Sequence, residues 1–242
     1  MVRFFVPASE LNAETIELIG ENASHAKVLR LKVGEKVLLC DGEGREALCS
    51  VLQADRQYFL SREELRDSDS EPEVRASVYM AMPKSDKLEH VIQKATELGA
   101  YEIVTFPTAR CVSRPDEKSL KKKLERWQKI AASAAEQSGR GRIPEVIALP
   151  DYTSALNRAA MADVAIVFYE NERANTLHNT LSSSPYTSVS LLSGPEGGFE
   201  EKEITQAMEA GLQVCTLGKR ILRCETAPLC ALSAVMYDSM EF

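Results

Sequence analysis

Two glycine-containing loops near the end of the chain carry the residue types best suited to holding a ligand. Residues 192–199 are Leu-Ser-Gly-Pro-Glu-Gly-Gly-Phe, and residues 217–228 are Leu-Gly-Lys-Arg-Ile-Leu-Arg-Cys-Glu-Thr-Ala-Pro. Each loop follows a short apolar run and precedes a segment with helical character. Ligands bind at the carboxyl ends of strands in open α/β sheets, so the two loops predict one shared pocket.

The first loop restricts which ligand that pocket could take. Its three glycines permit close backbone approach, but they form neither G-x-G-x-x-G nor a P-loop followed by Lys-Ser/Thr. The helix expected after the loop opens with Glu200, Glu201 and Glu203, whose charges suit the helix dipole and repel phosphate. A neutral or cationic, nucleoside-like ligand is therefore favoured over a dinucleotide or triphosphate.

Three charged residues of these loops are candidates for catalysis. Glu196 either accepts backbone N–H groups and holds its loop, or it contacts a donor or positive centre of the ligand. Arg223 and Glu225 either form a local ion pair, worth little if exposed, or act beside the pocket. Ile221 and Leu222, which directly precede Arg223 in the second loop, are expected to line an apolar slot.

Alternating strands and helices must position these loops. Strands are predicted at 74–82, 101–106, 146–149, 164–169, 189–192 and 212–217. Helices are predicted from 85 or 86 to 99, at 116–137, at 153–160, after the first glycine loop and at 227–240, with Thr226 capping the last one. Strands separated by helices imply a parallel sheet with helices on both faces, an α/β architecture.

The first part of the chain has a different pattern. Strands are predicted at 3–6, 36–41, 47–52 and 57–60, with a hairpin at the turn 41–44 and a short helix beginning near Asn22. Residues 66–73 are polar, acidic and interrupted by Pro72, which predicts a linker. We therefore divide the chain into domains at 1–70 and 71–242.

Basic side chains are concentrated in two places in a chain whose net charge is −7. One group lies in the first domain, and the other follows one face of the long helix and the loop after it. The members are His25, Lys27, Arg30 and Lys32, and then Lys118, Lys121, Lys122, Lys123, Arg126, Lys129, Arg140 and Arg142. Either group could contact phosphates or be a solvated surface, although the net charge argues against a general polyanion binder.

Composition excludes several other classes. The six cysteines form no C-x-x-C pair and the three histidines are far apart, so we expect buried free thiols and no metal site. No apolar run is long enough to cross a membrane, and the first residues lack signal-peptide features. A cytoplasmic protein without a membrane partner is expected.

The two loops, Ser193 to Phe199 and Leu217 to Ala227, closely resemble the signature of the bacterial 16S rRNA uridine-N3 methyltransferase family in the SPOUT superfamily. Matching blocks extend along nearly the whole chain: 3–5, 25–34, 93–99, and 135–138 with Arg140, Arg142 and Pro144. The resemblance implies a small PUA-like β-barrel followed by a SPOUT domain with a parallel sheet and a deep trefoil knot containing the second loop. It also implies a homodimer with S-adenosylmethionine sites near the subunit interface.

The resemblance also implies site residues. S-adenosylmethionine would place its adenine against the second loop and its ribose and methionine against the first. The implied cofactor contacts are Leu192, Gly194, Glu196, Gly197, Leu217, Gly218, Ile221, Leu222, Arg223, Thr226 and Ala227. The implied rRNA contacts are Arg3, His25, Lys27, Arg30, Arg140 and Arg142.

Catalytic roles are inferred from residue type. Uridine N3 carries a proton, so a base is needed near the pocket. Glu225 is the first candidate for that base and Glu196 the second, while Arg223 would stabilise the negative charge on uracil. Two alternatives remain: a non-catalytic RNA-binding factor of small-subunit assembly, and a small-molecule α/β enzyme unrelated to RNA.

Overall fold

The structure is a computed structural model that describes residues 1–241, and in it the chain forms two compact units. The first unit comprises residues 1–71 together with 135–143, and the second comprises 72–134 and the chain from 144 onward. The return of residues 135–143 to the first unit is not visible in the sequence pattern, because it depends on contacts between segments distant in the chain.

The first unit contains one sheet and one α-helix. Its elements are β1 (Val2–Phe5), a 3-10 turn (Glu10–Asn12), β2 (Thr15–Leu18), α1 (Gly20–Leu29), β3 (Lys36–Cys40), β4 (Arg45–Ala54) and β5 (Tyr58–Asp67). The strand order is β1-β3-β4-β5-β2, with β1 parallel to β3 and the other pairs antiparallel. Since β1 and β2 are edge strands among the described residues, the predicted barrel is a five-stranded sheet rather than a barrel closed by hydrogen bonds.

The predicted hairpin is confirmed by the antiparallel pairing of β3 with β4. Its turn is held by Asp41, whose Oδ1 accepts hydrogen bonds from the backbone N–H groups of Glu43 at 2.8 Å and Arg45 at 3.0 Å. The inward side chains of the sheet, among them Phe4, Leu39 and Leu60, are fully buried. This alternation of buried and exposed positions is what a sheet with one covered face requires.

The predicted linker is only partly a linker. β5 continues through Asp67, because Arg66 lies opposite Glu46 and binds its carboxylate. Glu71 is also fixed: its Oε1 accepts the backbone N–H groups of Gly141 at 2.9 Å and Arg142 at 3.0 Å. Residues that appear in the sequence as an acidic spacer therefore hold the returning segment 135–143 in the first unit.

The second unit is built on a parallel sheet. Its elements are β6 (Arg75–Ala81), α2 (Lys87–Glu97), β7 (Glu102–Phe106), α3 (Glu117–Ser138, whose last turn belongs to the first unit), β8 (Glu145–Ala148), α4 (Tyr152–Ala159), β9 (Val164–Phe168), α5 (Leu177–Leu181), β10 (Ser188–Ser193), α6 (Glu201–Glu209), β11 (Gln213–Cys215) and α7 (Thr226–Asp238). The strand order is β11-β9-β10-β6-β7-β8, and every pair is parallel. The predicted α/β architecture with a parallel sheet is confirmed.

Most predicted elements of this unit occur within a few residues of their expected bounds. α5 was not predicted, because five residues are too few to show a helical period; Thr176 caps it by accepting the N–H of Asn179 at 3.2 Å. Thr226 is not a cap but the first residue of α7, with Glu225 before it. Cys224 is half-buried and Cys230 is exposed, so the expectation of six buried thiols holds for only four.

The order of the strands determines where the ligand-binding edge of the sheet lies. β10 lies between β9 and β6, so the chain returns to the middle of the sheet after β9. Ser193, at the end of β10, is in register with Met80 near the end of β6. The loops after β6, β9, β10 and β11 therefore meet at one carboxyl edge, which is where such sheets bind ligands.

The long helix α3 is amphipathic as predicted. Trp127, Ala131 and Ala134 are buried, while the lysines of its first half are exposed. Within residues 1–241, no helix combines the length and the apolar character that crossing a membrane requires.

Candidate active site

A cavity of about 490 Å³ opens at the carboxyl edge of the second unit's sheet. Four segments contribute to it: the start of α2, the chain after β9, and both glycine loops. Its size lies within the roughly 300–1,000 Å³ typical of small-molecule sites. The pocket that the sequence predicts between the two loops is therefore present.

The first glycine loop packs so closely against itself, Arg110 and Glu170 that its glycines have little room for side chains. A Cβ on Gly194 would lie 3.2 Å from the backbone of Gly198, and one on Gly198 would lie 2.8 Å from the carboxylate of Glu170. Gly198 also has a φ of 66°, in the left-handed region that favours glycine. Arg110 covers Gly197 and donates from Nη1 to its carbonyl oxygen at 2.7 Å. These contacts fix the loop's shape at the cavity.

The three glutamates at the start of α6 differ in how exposed they are to solvent. Glu203 is buried, and its two carboxylate oxygens accept the N–H groups of Glu200 at 2.8 Å and Ala109 at 2.9 Å. Glu200 pairs with Lys202 at 2.9 Å. The expectation that all three acids repel phosphate is thus corrected for Glu203, which ties the helix to the loop after β7.

The central polar feature is a lysine between two of the candidate carboxylates. Lys87, in the first turn of α2, has its Nζ 3.0 Å from Glu196 Oε1 and 3.4 Å from Glu225 Oε2. Cys224 lies beside them, with its Sγ 3.7 Å from Lys87 Nζ and 3.2 Å from Glu225 Oε2. We call Lys87, Glu196 and Glu225 the charged triad. The ion pair considered between Arg223 and Glu225 is not formed among the described residues, because Glu225 turns toward Lys87.

The ionisation of the triad follows from these contacts. Burial acts to raise the pKa of Glu225, but hydrogen bonds from its own backbone, Cys224 and Lys87 lower it below the usual value. The pKa of Glu196 is also lowered, since its own N–H, Lys87 and the N–H of Lys84 together outweigh burial. The hydrogen bond to Glu196 raises the pKa of Lys87. Burial and the bond to Glu225 raise the pKa of Cys224 to about 11, so this thiol is neutral.

The second loop lines the other side of the cavity. Thr216 Oγ1 contacts both the N–H and the carbonyl oxygen of Gly218 at 3.2 Å, and Gly218 has a φ of 100°. Leu222 is half-buried at the cavity, but Ile221 is 84% exposed and only its inner side contributes to the lining. The predicted apolar slot is therefore open on the Ile221 side in the single chain.

Most of the predicted cofactor contacts lie at the cavity. Those that line it are Gly194, Glu196, Gly197, Leu217, Gly218, Ile221, Leu222, Arg223 and Ala227. Leu192 is fully buried in β10 and Thr226 faces solvent, and neither is among the lining residues. Glu225 adjoins the cavity through Lys87. The sequence pattern did not point to Lys87, Glu170 and Arg173, which also line the cavity. A signal for Lys87 was its place at the start of a predicted helix that follows a predicted strand.

In the first unit, two of the predicted RNA contacts are buried. Arg3 has its Nη1 2.9 Å from Glu46 Oε2, and its side chain is 10% exposed. Glu46 is fully buried and also binds Arg66, so both guanidiniums neutralise it. Arg140 is buried as well, with Nη2 2.6 Å from Glu71 Oε2. These pairs stabilise the unit, and this corrects the expectation that Arg3 and Arg140 face RNA.

Of the other four predicted RNA contacts, two have side chains held by contacts within the protein and two are exposed. His25 Nδ1 is 3.0 Å from Glu136 Oε1 and its ring packs edge-on against Phe4, while Arg142 Nη2 donates to the carbonyl oxygen of Glu43 at 2.7 Å. Lys27 and Arg30 are exposed at the end of α1. Arg30 has a φ of 56°, and its backbone N–H caps the helix by donating to the carbonyl oxygens of Ala26 and Lys27.

Comparison with known proteins agrees with this geometry. The sequence model of a family described as RNA methyltransferase domain matches residues 70–236, and one described as RNA methyltransferase PUA domain matches residues 18–64.

The chain belongs to the RNA methyltransferase family.

Individual members of the family are similar over almost the full length. Ribosomal RNA small subunit methyltransferase E of Bacillus subtilis (strain 168) is 38% identical over 250 residues, covering 99% of this chain and 97% of the relative. A crystal structure of ribosomal RNA small subunit methyltransferase E from Neisseria gonorrhoeae bound to S-adenosyl methionine has a TM-score of 0.85 and 32% identity, covering 98% of this chain and 97% of that one. A putative methyltransferase from Legionella pneumophila in complex with the bound cofactor SAM has a TM-score of 0.84 and 29% identity, with 98% and 97% covered.

Proposed function

We propose that this protein methylates N3 of a uridine in 16S rRNA of the small ribosomal subunit, with S-adenosylmethionine as methyl donor. The observation that carries the proposal is the cavity between the two glycine loops, in a chain of the RNA methyltransferase family. The similar ribosomal RNA small subunit methyltransferase E from Neisseria gonorrhoeae, bound to S-adenosyl methionine, supports the substrate class and the cofactor. An rRNA substrate would place the reaction in the cytoplasm.

The residues present fit this cofactor. Gly194 and Gly198 leave a cradle that a Cβ would fill, which suits a ligand held against backbone. Carboxylates of Glu170 and Glu196 line the cavity and would suit the cofactor's positive sulfonium and amino groups, while Lys87, Arg173, Arg220 and Arg223 also line it and would suit its carboxylate. Leu217, Gly218 and Leu222 would hold the adenine. When bound, S-adenosylmethionine supplies an electrophilic methyl group and is left as a neutral thioether.

This chain's residues must then prepare uridine N3. Glu225 is proposed to accept the N3 proton, because it is ionised beside the cavity and the nitrogen is a poor nucleophile until the proton leaves. Arg223, exposed at the cavity, would stabilise the negative charge that spreads onto the uracil oxygens. Alignment of the two reactants can supply several kcal/mol more. Glu196 is the second candidate for the base.

RNA contact is proposed for the exposed basic side chains. Lys27 and Arg30 would bind phosphates from the first unit, which we propose as the RNA-binding domain. On the second unit, proposed as the catalytic domain, the exposed lysines of α3 would also bind phosphates. N3 lies on the Watson–Crick edge, so the target base must be unpaired or turned out before it reacts.

Two further features are proposed from the family resemblance alone. One is a deep trefoil knot of the SPOUT type around the second loop. The other is a homodimer that brings a second chain close to the cofactor site. The open side of the cavity at Ile221 is compatible with a covering partner.

The test is to incubate the protein with labelled S-adenosylmethionine and small ribosomal subunits isolated from cells lacking this modification. Mass spectrometry of the digested 16S rRNA should show one N3-methyluridine and map its position. Absence of N3-methyluridine would overturn the proposal, and absence of S-adenosylmethionine binding by calorimetry as well would instead support a non-catalytic RNA-binding factor of subunit assembly.

A further inference from the structure

Lys87 joins two loops that are far apart in sequence. Its Nζ lies 3.0 Å from Glu196 in the first glycine loop and 3.4 Å from Glu225 in the second. All three side chains are about a fifth to a third exposed, so they are neither buried in a core nor fully solvated. Lys87 and Glu196 line the cavity directly.

The loop that delivers Lys87 is held in an unfavourable backbone conformation. Ser85 has a φ of 56°, which is uncommon for a residue with a side chain. The preceding residue, Lys84, donates its backbone N–H to Glu196 Oε1 at 3.1 Å. Strained residues persist where the surrounding contacts over-determine them, and they concentrate at functional sites. The backbone of Lys84 in this loop and the side chain of Lys87 at the start of α2 thus bind the same carboxylate.

The surroundings contain no second cation bridging the two carboxylates among the described residues. Cys224 contacts Lys87 and Glu225, and its thiol is neutral. The other charged side chains at the cavity are Arg220 and Arg223 of the second loop and Glu170 and Arg173 after β9. Within residues 1–241, Lys87 is the one cation whose charged group contacts both Glu196 and Glu225.

We propose that Lys87 is a positioning residue that keeps Glu196 and Glu225 ionised and holds the two glycine loops together while the N3 proton is removed. This inference rests on the proposed function for its role in methyl transfer, but the ion pairs themselves are independent of any substrate. Without the ammonium group, two carboxylates that share a site repel each other, and the pKa of at least one of them rises. A protonated carboxyl cannot accept the N3 proton, so the reaction would require a higher pH than in wild type.

The kinetic test is the pH dependence of single-turnover methyl transfer to small subunits at saturating S-adenosylmethionine. Lys87→Met removes the charge with little change in length, and we expect the acid limb of its profile to move upward by about 1 pH unit or more. Lys87→Arg should restore most of the wild-type limb. The matched control is Lys84→Met, which removes an exposed neighbouring charge and leaves the backbone contact to Glu196 intact.

An acid limb that is unchanged in Lys87→Met, or that moves equally in Lys84→Met, would overturn the proposal. A purely structural role would lower the rate at every pH without moving the limb. If Lys87→Met does not fold, Lys87→Gln provides the same comparison, since it also removes the charge.

A second readout does not depend on activity. Carbon-13 NMR of the glutamate carboxyls, assigned with Glu196→Gln and Glu225→Gln, reports both titrations in wild type and in Lys87→Met. Both should move to higher pH in the variant, and unchanged titrations would contradict the role of Lys87. A wild-type protein that transfers no methyl group to rRNA would contradict the proposed function instead, whatever the titrations show.

Discussion

Glu225 shows how a site residue depends on its neighbours. It precedes α7, and its carboxylate is fixed by Lys87 at 3.4 Å and by the thiol of Cys224 at 3.2 Å. From sequence, its nearest candidate partner is Arg223, two residues away. In the structure Glu225 pairs with Lys87 of α2 instead. This contact replaces the local ion pair between Arg223 and Glu225, which was one of the two possibilities offered by the sequence.

Glu225→Gln should lower the rate of methyl transfer by about 10²–10⁴, the range that general-base catalysis typically contributes. The amide keeps the size of the side chain but cannot accept the proton, so binding of S-adenosylmethionine should change little. Single-turnover rates and calorimetry measure the two effects separately. If Glu225→Gln retains full activity while Glu196→Gln loses it, the second candidate is the base.

At the scale of elements, loops at the opposite edge of the sheet are also tied by a carboxylate. Asp163, just before β9, accepts the backbone N–H groups of Thr187, just before β10, at 2.9 Å and of Ser188, the first residue of β10, at 3.0 Å. These hydrogen bonds, with that of the Thr187 hydroxyl, lower the pKa of Asp163 from 3.8 to about 2. The contact aligns the starts of the two strands whose ends carry the site.

The effect on stability has a defined pH window. Because the pKa is depressed in the folded state, the contribution of Asp163 is fully present above the unfolded value of 3.8 and is lost as pH falls to about 2. Asp163→Asn should therefore lower the Tm at pH 7 more than at pH 2.5, as scanning calorimetry can measure. An equal change at both pH values would show that the charge of Asp163 is not the stabilising feature.

The end of α1 carries a prediction about RNA. Lys27 and Arg30 are exposed there, and replacing both with Gln should weaken binding to 16S rRNA. The slope of the logarithm of the affinity against the logarithm of the salt concentration should fall by the equivalent of about two phosphate contacts. Filter binding over a range of salt concentrations measures both quantities. The control is Arg56→Gln, at an exposed position in the turn between β4 and β5 of the same unit. A change of the same size in Arg56→Gln would mean that general charge, and not this surface, sets the affinity.

At the scale of the whole molecule, α7 has the composition of a helix covered on all sides. Asp238, its last residue, is the only charged residue in it, yet Cys230 and Tyr237 are exposed in the single chain. A helix that is apolar all round is normally buried. This agrees with the homodimer proposed from the family resemblance, with α7 covered by a second copy.

Cys230→Arg should convert the proposed dimer to monomer, because an unpaired charge in an apolar interface is strongly unfavourable. Sedimentation velocity should give about twice the 26.8 kDa chain mass for wild type and the single-chain mass for the variant. Met161→Arg, at a position 85% exposed outside α7, is the control and should remain dimeric. A monomeric wild type would contradict the proposal directly.

The sequence by itself determined most of the elements and the location of the pocket, although β2 and α5 were not predicted. Periodicity gave the strands and helices of the parallel sheet, since apolar runs and helical spacing are local properties. The glycines of residues 194–198 marked the ligand-binding edge, because glycine permits close backbone approach and, at Gly198, adopts a positive φ without steric cost. The order of strands was not accessible in this way.

Tertiary structure alone decided which charges meet. Pairing of β6 with β10 brings Lys87 to Glu196, and the return of residues 135–143 to the first unit buries Arg140 against Glu71. The sequence predicts Arg3 as an RNA contact, but in the structure its guanidinium pairs with the buried carboxylate of Glu46. A side chain's charge is read from the sequence, but its partner and its exposure are set by segments that are distant along the chain.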